Sequence, residues 1–197
     1  MSRSAVRALL VVDVQNDFCA GGTLAVPDGD RVVEPINRLM SDYAAAGKPI
    51  FASRDWHPAG SRHFADHGGP WPVHCVADTP GAAFHPELRL PADTLVVSKG
   101  QTPDTDGYSA FEGTLSTGAR LGDALDAGGV RELLVCGLAT DYCVRASVLD
   151  AIRHGLRVEV VSDAIAAVDA AGGRNATAEM RDAGAILTTA DAALART

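Results

Sequence analysis

The sequence lacks the features that would place it in a membrane, on a nucleic acid or in a disulfide scaffold. No stretch approaches the roughly 18 consecutive apolar residues that span a bilayer, and no basic cluster offsets the formal net charge of -8. The four cysteines stand at irregular positions without a CxxC pair. We therefore expect a cytoplasmic protein that binds neither nucleic acid nor membrane and acts on a small molecule.

Aromatic residues are also scarce, at 5% of the chain, and repeats and low-complexity tracts are lacking. The apolar fraction of 47% is still that of an ordinary globular protein. A chain of 197 residues is long enough to bury one good core, so we expect a single domain over residues 1–197. The first residues (MSRSAVRALLVVDV) show no small-residue cleavage site and predict a first strand rather than a signal peptide.

Short apolar runs alternate with helical patterns along the chain. The runs that predict strands are Ala8–Val12, Pro49–Ser53, Thr94–Ser98, Leu133–Cys136, Leu156–Val161 and Ala185–Thr188. The segments that predict helices are Val32–Tyr43, Leu115–Leu125, Thr140 to Gly155, and Arg174–Ala183. This alternation predicts an α/β fold with a parallel sheet covered by helices on both faces.

The stretch RELLVCGLATDYCVRAS, residues 131–147, joins a buried strand to a helix through a tight turn. Thr140 is placed to cap that helix, and Cys143 falls in its first turn. Unpaired N–H groups and the positive end of the helix dipole stabilise a thiolate, so we predict a lowered pKa and a nucleophilic Cys143. The alternative is that Cys143 is a small core residue, and only residues elsewhere in the chain decide between the two.

Two charged residues follow predicted strands and support the nucleophile hypothesis. Asp13 comes directly after ALLVV, and Lys99 comes directly after TLVVS. The carboxyl ends of parallel strands share one edge of a sheet, where ligands gather. An ammonium there would hold Asp13 ionised and favour Cys143 as the thiolate, which predicts a catalytic triad. By itself, Asp13 is equally well explained as the cap of a turn.

The loop that follows Lys99 and Gly100, residues 101–111, is expected to be a lid rather than a regular secondary-structure element.

One carboxylate and three histidines follow the second predicted strand, in DWHPAGSRHF and WPVHC: Asp55, His57, His63 and His74. Residues two apart in an extended segment point the same way, and loops can bring the others back. This set suits one divalent ion such as Fe, Mn or Zn. For any single histidine, a solvated or capping role is the alternative. The remaining histidines lack this context and are expected on the surface or in loops: His67, His85 and His154.

Three motifs together resemble those of the isochorismatase-like cysteine hydrolases: VVDVQNDF with Asp13, VVSKG with Lys99 and GLATDYC with Cys143. The metal motif resembles the nicotinamidase/pyrazinamidase branch of that family. The likeness runs from Ala8 to about Thr188, and the lid is its least familiar part. It implies a six-stranded parallel sheet in the order 3-2-1-4-5-6 and a cis peptide bond before Ala139.

The resemblance also implies a chemistry. The metal would bind the pyridine nitrogen of nicotinamide. Nicotinamide would then be hydrolysed to nicotinate and ammonia through a thioester on Cys143. Pyrazinamide would be converted to pyrazinoate in the same way. Asp13 would accept the thiol proton, and the N–H groups of Ala139 and Cys143 would form an oxyanion hole. The physiological setting would be NAD salvage, a part of pyridine nucleotide biosynthesis. The family positions that wall the substrate ring are here Phe18, Leu24, Trp71 and Tyr108.

Two other functions remain open at this point. One is hydrolysis of another small amide or carbamoyl compound, with a purely structural metal. The other is a non-enzymatic metal-binding or thiol redox protein, which needs a resolving cysteine near Cys143; Cys136, seven residues earlier, is the nearest in sequence. The identity of the metal, the preference among nicotinamide analogues and a possible homo-oligomer are also open.

Overall fold

The computed structural model of the protein describes residues 6–196, so residues 1–5 and 197 of the expected domain lie outside the described part. The strands are β1 (Val6–Val12), β2 (Ile50–Asp55), β3 (Leu95–Lys99), β4 (Thr114–Leu115), β5 (Val130–Leu138), β6 (Arg157–Ala166) and β7 (Ile186–Thr188). The α-helices are α1 (Val33–Ala45), α2 (Leu121–Ala127), α3 (Arg145–Arg153), α4 (Ala170–Asp182) and α5 (Ala190–Leu194). No helix in this part is long and apolar enough to cross a membrane.

The strands form one sheet in the order β4-β3-β2-β1-β5-β6-β7. Every neighbouring pair is parallel except β3 with β4. The six parallel strands thus follow the predicted order, but the predicted number of strands is wrong because β4 adds a seventh at the edge. We expected a helix from Leu115, whereas Leu115 pairs with Val97 and Gly118 then turns the chain with a φ of +83°. A left-handed residue interrupts a helix, so α2 begins only after this turn.

The central strands are buried on both faces, which explains their continuous apolar sequences. Alternate residues of a strand point to opposite faces, so Leu9 and Val11 pack on one side and Leu10 and Val12 on the other. The first side is covered by α1 and α5 and the second by α2, α3 and α4. All four side chains are fully buried, and each such burial stabilises the fold by about 1.5–3 kcal/mol.

The observed helices match the predicted ones better in their central turns than at their ends. Helix α1 lies within a residue or two of its predicted bounds, and Gly47 follows it in the left-handed conformation. Helix α4 begins four residues earlier than predicted, because the Asp169 side chain accepts a hydrogen bond from the Gly172 N–H and so caps it. Helix α5, capped by Thr189, was not predicted.

The arrangement of the sheet delivers chemically active residues to one edge. Asp13 directly follows β1, Asp55 ends β2 and Lys99 ends β3, and the register of β2 and β3 makes Asp55 and Lys99 direct neighbours. The adjacent strand β5 leads into the turn that carries Cys143. The prediction that separate strands bring these residues to a shared edge is therefore confirmed.

Candidate active site and metal centre

Cys143 lies in a π-helical turn, Thr140–Val144, between β5 and α3. The Val144 N–H donates to the Ala139 carbonyl oxygen across 3.1 Å, which is the wide i to i+5 spacing of such turns. The predicted capping role of Thr140 is wrong, because Ala139 occupies the cap position and no side chain caps the turn. A capping hydroxyl accepts a hydrogen bond from the N–H of the second or third residue of a helix, and the wider turn does not place those N–H groups within its reach.

The backbone before the cysteine is unusual. The peptide bond between Leu138 and Ala139 is cis, as the resemblance implied. Gly137 has a φ of +116°, and a Cβ at this position would collide with the Val12 backbone of the neighbouring strand. Only glycine lets β5 pass so close to β1 while it turns into the site. The use of the Ala139 and Cys143 N–H groups as an oxyanion hole stays a prediction.

Asp13, Lys99 and Cys143 meet in a buried cluster. Lys99 Nζ lies 2.8 Å from Asp13 Oδ2 and 3.5 Å from Cys143 Sγ. It also donates to the Gly107 carbonyl oxygen across 2.7 Å and contacts Asp55 Oδ1. Asp13 itself adopts a φ of +47°, a strained conformation of the kind found at functional sites. These contacts bring together the three residues that the sequence placed in a triad.

The electrostatics of this cluster contradict the predicted thiolate. Burial raises the pKa of the Cys143 thiol well above its usual range, although the Lys99 ammonium opposes this shift. The helix-terminus argument considered only local groups, whereas the folded chain removes water from the sulfur and faces it with two carboxylates. Burial also raises the pKa of Asp13, which makes Asp13 a competent acceptor for the thiol proton.

Asp55 shares the same ammonium but titrates in the opposite direction. Burial by itself would raise the pKa of Asp55, yet the charge of Lys99 and the neighbouring His57 together outweigh it and hold the pKa below its ordinary value. Oδ1 of Asp55 contacts Lys99, while Oδ2 faces the histidines, 3.8 Å from His57 Nε2 and 4.0 Å from His74 Nε2. Asp55 therefore links the triad to the histidine cluster.

His57, His63 and His74 converge, each with one ring nitrogen in a cluster whose atoms lie within 4.8 Å of one another. The other ring nitrogen, Nδ1, is hydrogen-bonded to an oxygen in each case. The partners of His57, His63 and His74 are Gly100 O at 3.1 Å, Asp106 Oδ1 at 3.0 Å and Pro72 O at 2.7 Å, respectively. An Nδ1–H donated outward leaves the Nε2 lone pair pointing inward, as in metal-binding histidines.

The donor set fits a divalent cation. Nε2 of His57 is buried and has no hydrogen-bond partner within residues 6–196, an arrangement that a bound cation would satisfy. Three imidazoles and one carboxylate are the borderline ligands that Zn, Fe and Mn accept. Local pairing explains how the loops close: His57 forms a parallel bridge with Val76, which brings the segment carrying His74 beside it.

A pocket opens over Cys143, and all four residues predicted to wall the substrate ring line it: Phe18, Leu24, Trp71 and Tyr108. His63, His74 and Asp55 line the same pocket, so the nucleophile and the metal cluster face one space. The Trp71 indole N–H donates to the Tyr108 hydroxyl across 2.9 Å, which fixes the two rings. Tyr142, which the sequence analysis missed, packs on both rings, and its position beside Cys143 was the only available signal.

Two buried polar residues near the strand ends were also missed. Ser53 donates to Asp13 Oδ1 across 2.7 Å. Gln15 donates to the backbone oxygens of Asp55 and Ala82 and accepts from the Asp55 N–H, all within 2.9 Å. No local pattern distinguishes these residues from ordinary turn residues, because their partners lie about 40 or more positions away.

Of the remaining histidines, only His85 falls in another group of possible metal ligands among residues 6–196, together with Cys19 and Asp30. His85 accepts the Glu87 N–H at Nδ1, so its Nε2 carries the proton, and this nitrogen lies 3.3 Å from Asp30 Oδ1. Burial raises the pKa of the Cys19 thiol to about 12, and the charge of the neighbouring Asp30 and a hydrogen bond to it add to this shift. Because Nδ1 accepts from the backbone and Nε2 carries the proton, His85 offers no lone pair to a cation there.

Fold and site together define a hydrolase of the α/β fold class, with a buried cysteine at the carboxyl edge of a mostly parallel sheet. The Isochorismatase domain family matches residues 7–192. The chain belongs to this family, in its nicotinamidase and pyrazinamidase branch, which confirms the resemblance noted in the sequence.

Individual relatives cover nearly the whole chain. The nicotinamidase of Escherichia coli (strain K12) is 44% identical over 204 residues, which span 93% of this chain and 94% of the relative. The pyrazinamidase of Pyrococcus horikoshii, solved in complex with zinc, has a TM-score of 0.87 at 41% identity and covers 93% of this chain and 98% of its own. PnC1 from L. infantum, solved in complex with nicotinate, has a TM-score of 0.86 at 37% identity over 96% of each chain.

Proposed function

We propose that the protein is a metal-dependent cysteine amidohydrolase that converts nicotinamide to nicotinate and ammonia, and pyrazinamide to pyrazinoate. The observation that carries this proposal is the single pocket onto which both Cys143 and the histidine cluster open, with aromatic walls suited to a flat ring. The activities named for the relatives and the nicotinate and zinc of the two solved structures support it.

The catalytic steps follow from the contacts around Cys143. Asp13 accepts the thiol proton as the sulfur attacks the amide carbon, and Lys99 holds Asp13 and the developing thiolate in place. The N–H groups of Ala139 and Cys143 stabilise the oxyanion of the tetrahedral intermediate. Asp13 then gives this proton to the amide nitrogen as the C–N bond breaks, so that ammonia departs and a thioester remains on Cys143. A water molecule then transfers a proton to Asp13 and attacks the thioester carbon. The C–S bond breaks, the acid leaves, and Asp13 returns the proton to the Cys143 sulfur.

One divalent ion would be held by Asp55, His57, His63 and His74. When bound, it supplies a Lewis acid for the pyridine nitrogen or a water molecule. The donor set does not select among Fe, Mn and Zn. Nicotinamide hydrolysis assigns the protein to NAD salvage. We further propose that residues 1–197 form one catalytic domain in the cytoplasm, supported by the continuous family match and by four free, buried cysteines.

The decisive experiment measures ammonia released from nicotinamide by the purified protein as isolated, after chelation, and after restoration of Fe, Mn or Zn. We expect release that disappears on chelation and returns with metal. No release under any metal condition, from a folded protein whose Cys143 still reacts with an alkylating agent, would instead favour hydrolysis of another small amide. The redox alternative has little support, because the Cys136 sulfur contacts the Leu10 carbonyl oxygen inside the sheet.

A further inference from the structure

The three histidines of the cluster are oriented by different kinds of acceptor. His57 is held by the carbonyl oxygen of Gly100, directly after β3, and His74 by that of Pro72, two residues before it. Both acceptors are backbone carbonyl oxygens outside the lid, residues 101–111. His63 is held by the Asp106 carboxylate, a side chain 43 positions away in the lid. One histidine of the cluster therefore depends on the lid for its orientation.

The lid contacts the site through three consecutive residues. Asp106 bonds His63, Gly107 accepts a hydrogen bond from Lys99 across 2.7 Å, and Tyr108 accepts one from Trp71 across 2.9 Å. The Asp106 side chain is 64% exposed, but the residue lines the pocket next to His63. Its position therefore depends on the lid being seated over the site.

The chemical consequence concerns the ring of His63. A neutral imidazole has one N–H and one lone pair, and the acceptor of the N–H decides which nitrogen keeps the lone pair. With Nδ1–H donated to Asp106, the lone pair lies on Nε2, the only ring nitrogen left to face the histidine cluster. Without this acceptor, the ring can rotate or change tautomer, and the cluster loses an oriented donor.

We propose that Asp106 is a positioning residue of the metal centre, which orients His63 from the lid. The inference rests on the proposed function only in that His63 is taken to be a metal ligand. Asp106 does not touch the substrate in this role; it acts through the ring that it holds. The metal centre is then fully assembled only when the lid lies over the site.

The test is a calorimetric titration of the metal-free protein with Zn²⁺ alone, for the wild type and three variants. We expect Asp106→Ala to weaken binding about tenfold, the lower end for residues that orient a ligand, because the carboxylate is more than half exposed. Asp106→Asn keeps an acceptor oxygen and should stay within about threefold of wild type. Asp104→Ala is the matched control: Asp104 lies in the same lid and pairs at 2.6 Å with the exposed Arg62.

A second measurement reads the orientation directly. Nitrogen NMR of the metal-free protein should show His63 as the Nδ1–H tautomer in the wild type and in Asp106→Asn, and as a tautomer mixture in Asp106→Ala. Wild-type affinity in Asp106→Ala, or equal losses in the Ala and Asn variants, would overturn the inference while leaving nicotinamide hydrolysis untouched. A wild-type protein that hydrolyses nicotinamide without binding Zn²⁺ would overturn both the metal centre and the inference.

Discussion

At the scale of single residues, the position of one ammonium group decides the charges in the site. Lys99 contacts the carboxylates of both Asp13 and Asp55, and all three side chains are buried. A buried charge without a partner is strongly unfavourable, and one ammonium cannot neutralise two carboxylates. The two acids therefore titrate apart, with the pKa of Asp55 below its ordinary value and that of Asp13 above it. This division supports the proposal that Asp13 is the proton acceptor.

The nucleophile is tested at the same scale by Cys143→Ala. Removal of the sulfur removes the covalent step, so we expect turnover of nicotinamide to fall below detection, while nicotinamide affinity changes by less than about threefold because the pocket walls remain. Ammonia release and equilibrium binding measure the two quantities.

The matched control for this variant is Cys136→Ala, which removes a buried thiol from β5 outside the pocket lining. It should retain most of the activity. Substantial turnover by Cys143→Ala would end the covalent mechanism, whatever the behaviour of the control.

At the scale of elements, Gln15 fastens the segment after β1 to the end of β2. Its amide makes three hydrogen bonds with the backbone of Asp55 and Ala82, and its side chain is fully buried. The chain on one side of it carries Asp13 and on the other Phe18, so one buried amide aligns parts of the triad, the metal cluster and the pocket wall. Loss of this amide would leave buried backbone groups unpaired.

Gln15→Leu should therefore destabilise the protein by about 3 kcal/mol, since unpaired buried groups cost about 1–3 kcal/mol each and the surroundings relax only in part. Urea unfolding of the metal-free protein measures this. Gln101→Leu is the control with the same change of side chain, because Gln101 bonds Ser98 and Thr114 at an exposed position. We expect a loss of about 0.5 kcal/mol for the control. Equal effects in both variants would contradict the role assigned to Gln15.

At the scale of the whole molecule, the metal cluster joins β2, the loops after it and the lid, so its occupation should stabilise the whole fold. A ligand that binds only the folded state stabilises it by about 2.7 kcal/mol at a concentration 100 times its Kd. For a protein of this size, we expect chelation to lower the Tm by roughly 5–10 °C, and restored metal to reverse the change.

Thermal unfolding with and without chelator measures this shift, and two histidine variants calibrate it. His74→Ala should lose the metal-dependent shift. His85→Ala should keep it, because His85 belongs to the separate cluster with Asp30. A wild-type Tm that is indifferent to metal would contradict a bound ion, even if nicotinamide were hydrolysed.

Most of the fold and the main site residues could be predicted from the sequence, because their signals are local. Apolar runs of four or five residues mark the central strands, and a charged residue directly after a strand lies at the carboxyl edge wherever the sheet is parallel. Asp13 and Lys99 were found in this way. The residues proposed as metal ligands were found because three histidines and a carboxylate occur close together in the segment that begins at the end of β2.

What only the tertiary structure decided involves partners far apart in the chain. The pKa of Cys143 rises because packing removes water from the sulfur, which no helix-terminus pattern reports. Strand β4 forms because Thr114 and Leu115 pair with the free edge of β3, and the strand propensity of two residues does not predict this pairing. Gln15 and Asp106 act on partners 40 and 43 positions away. Sequence periodicity records neighbours within a turn or a strand, whereas burial and long-range hydrogen bonds arise only when the whole chain is packed.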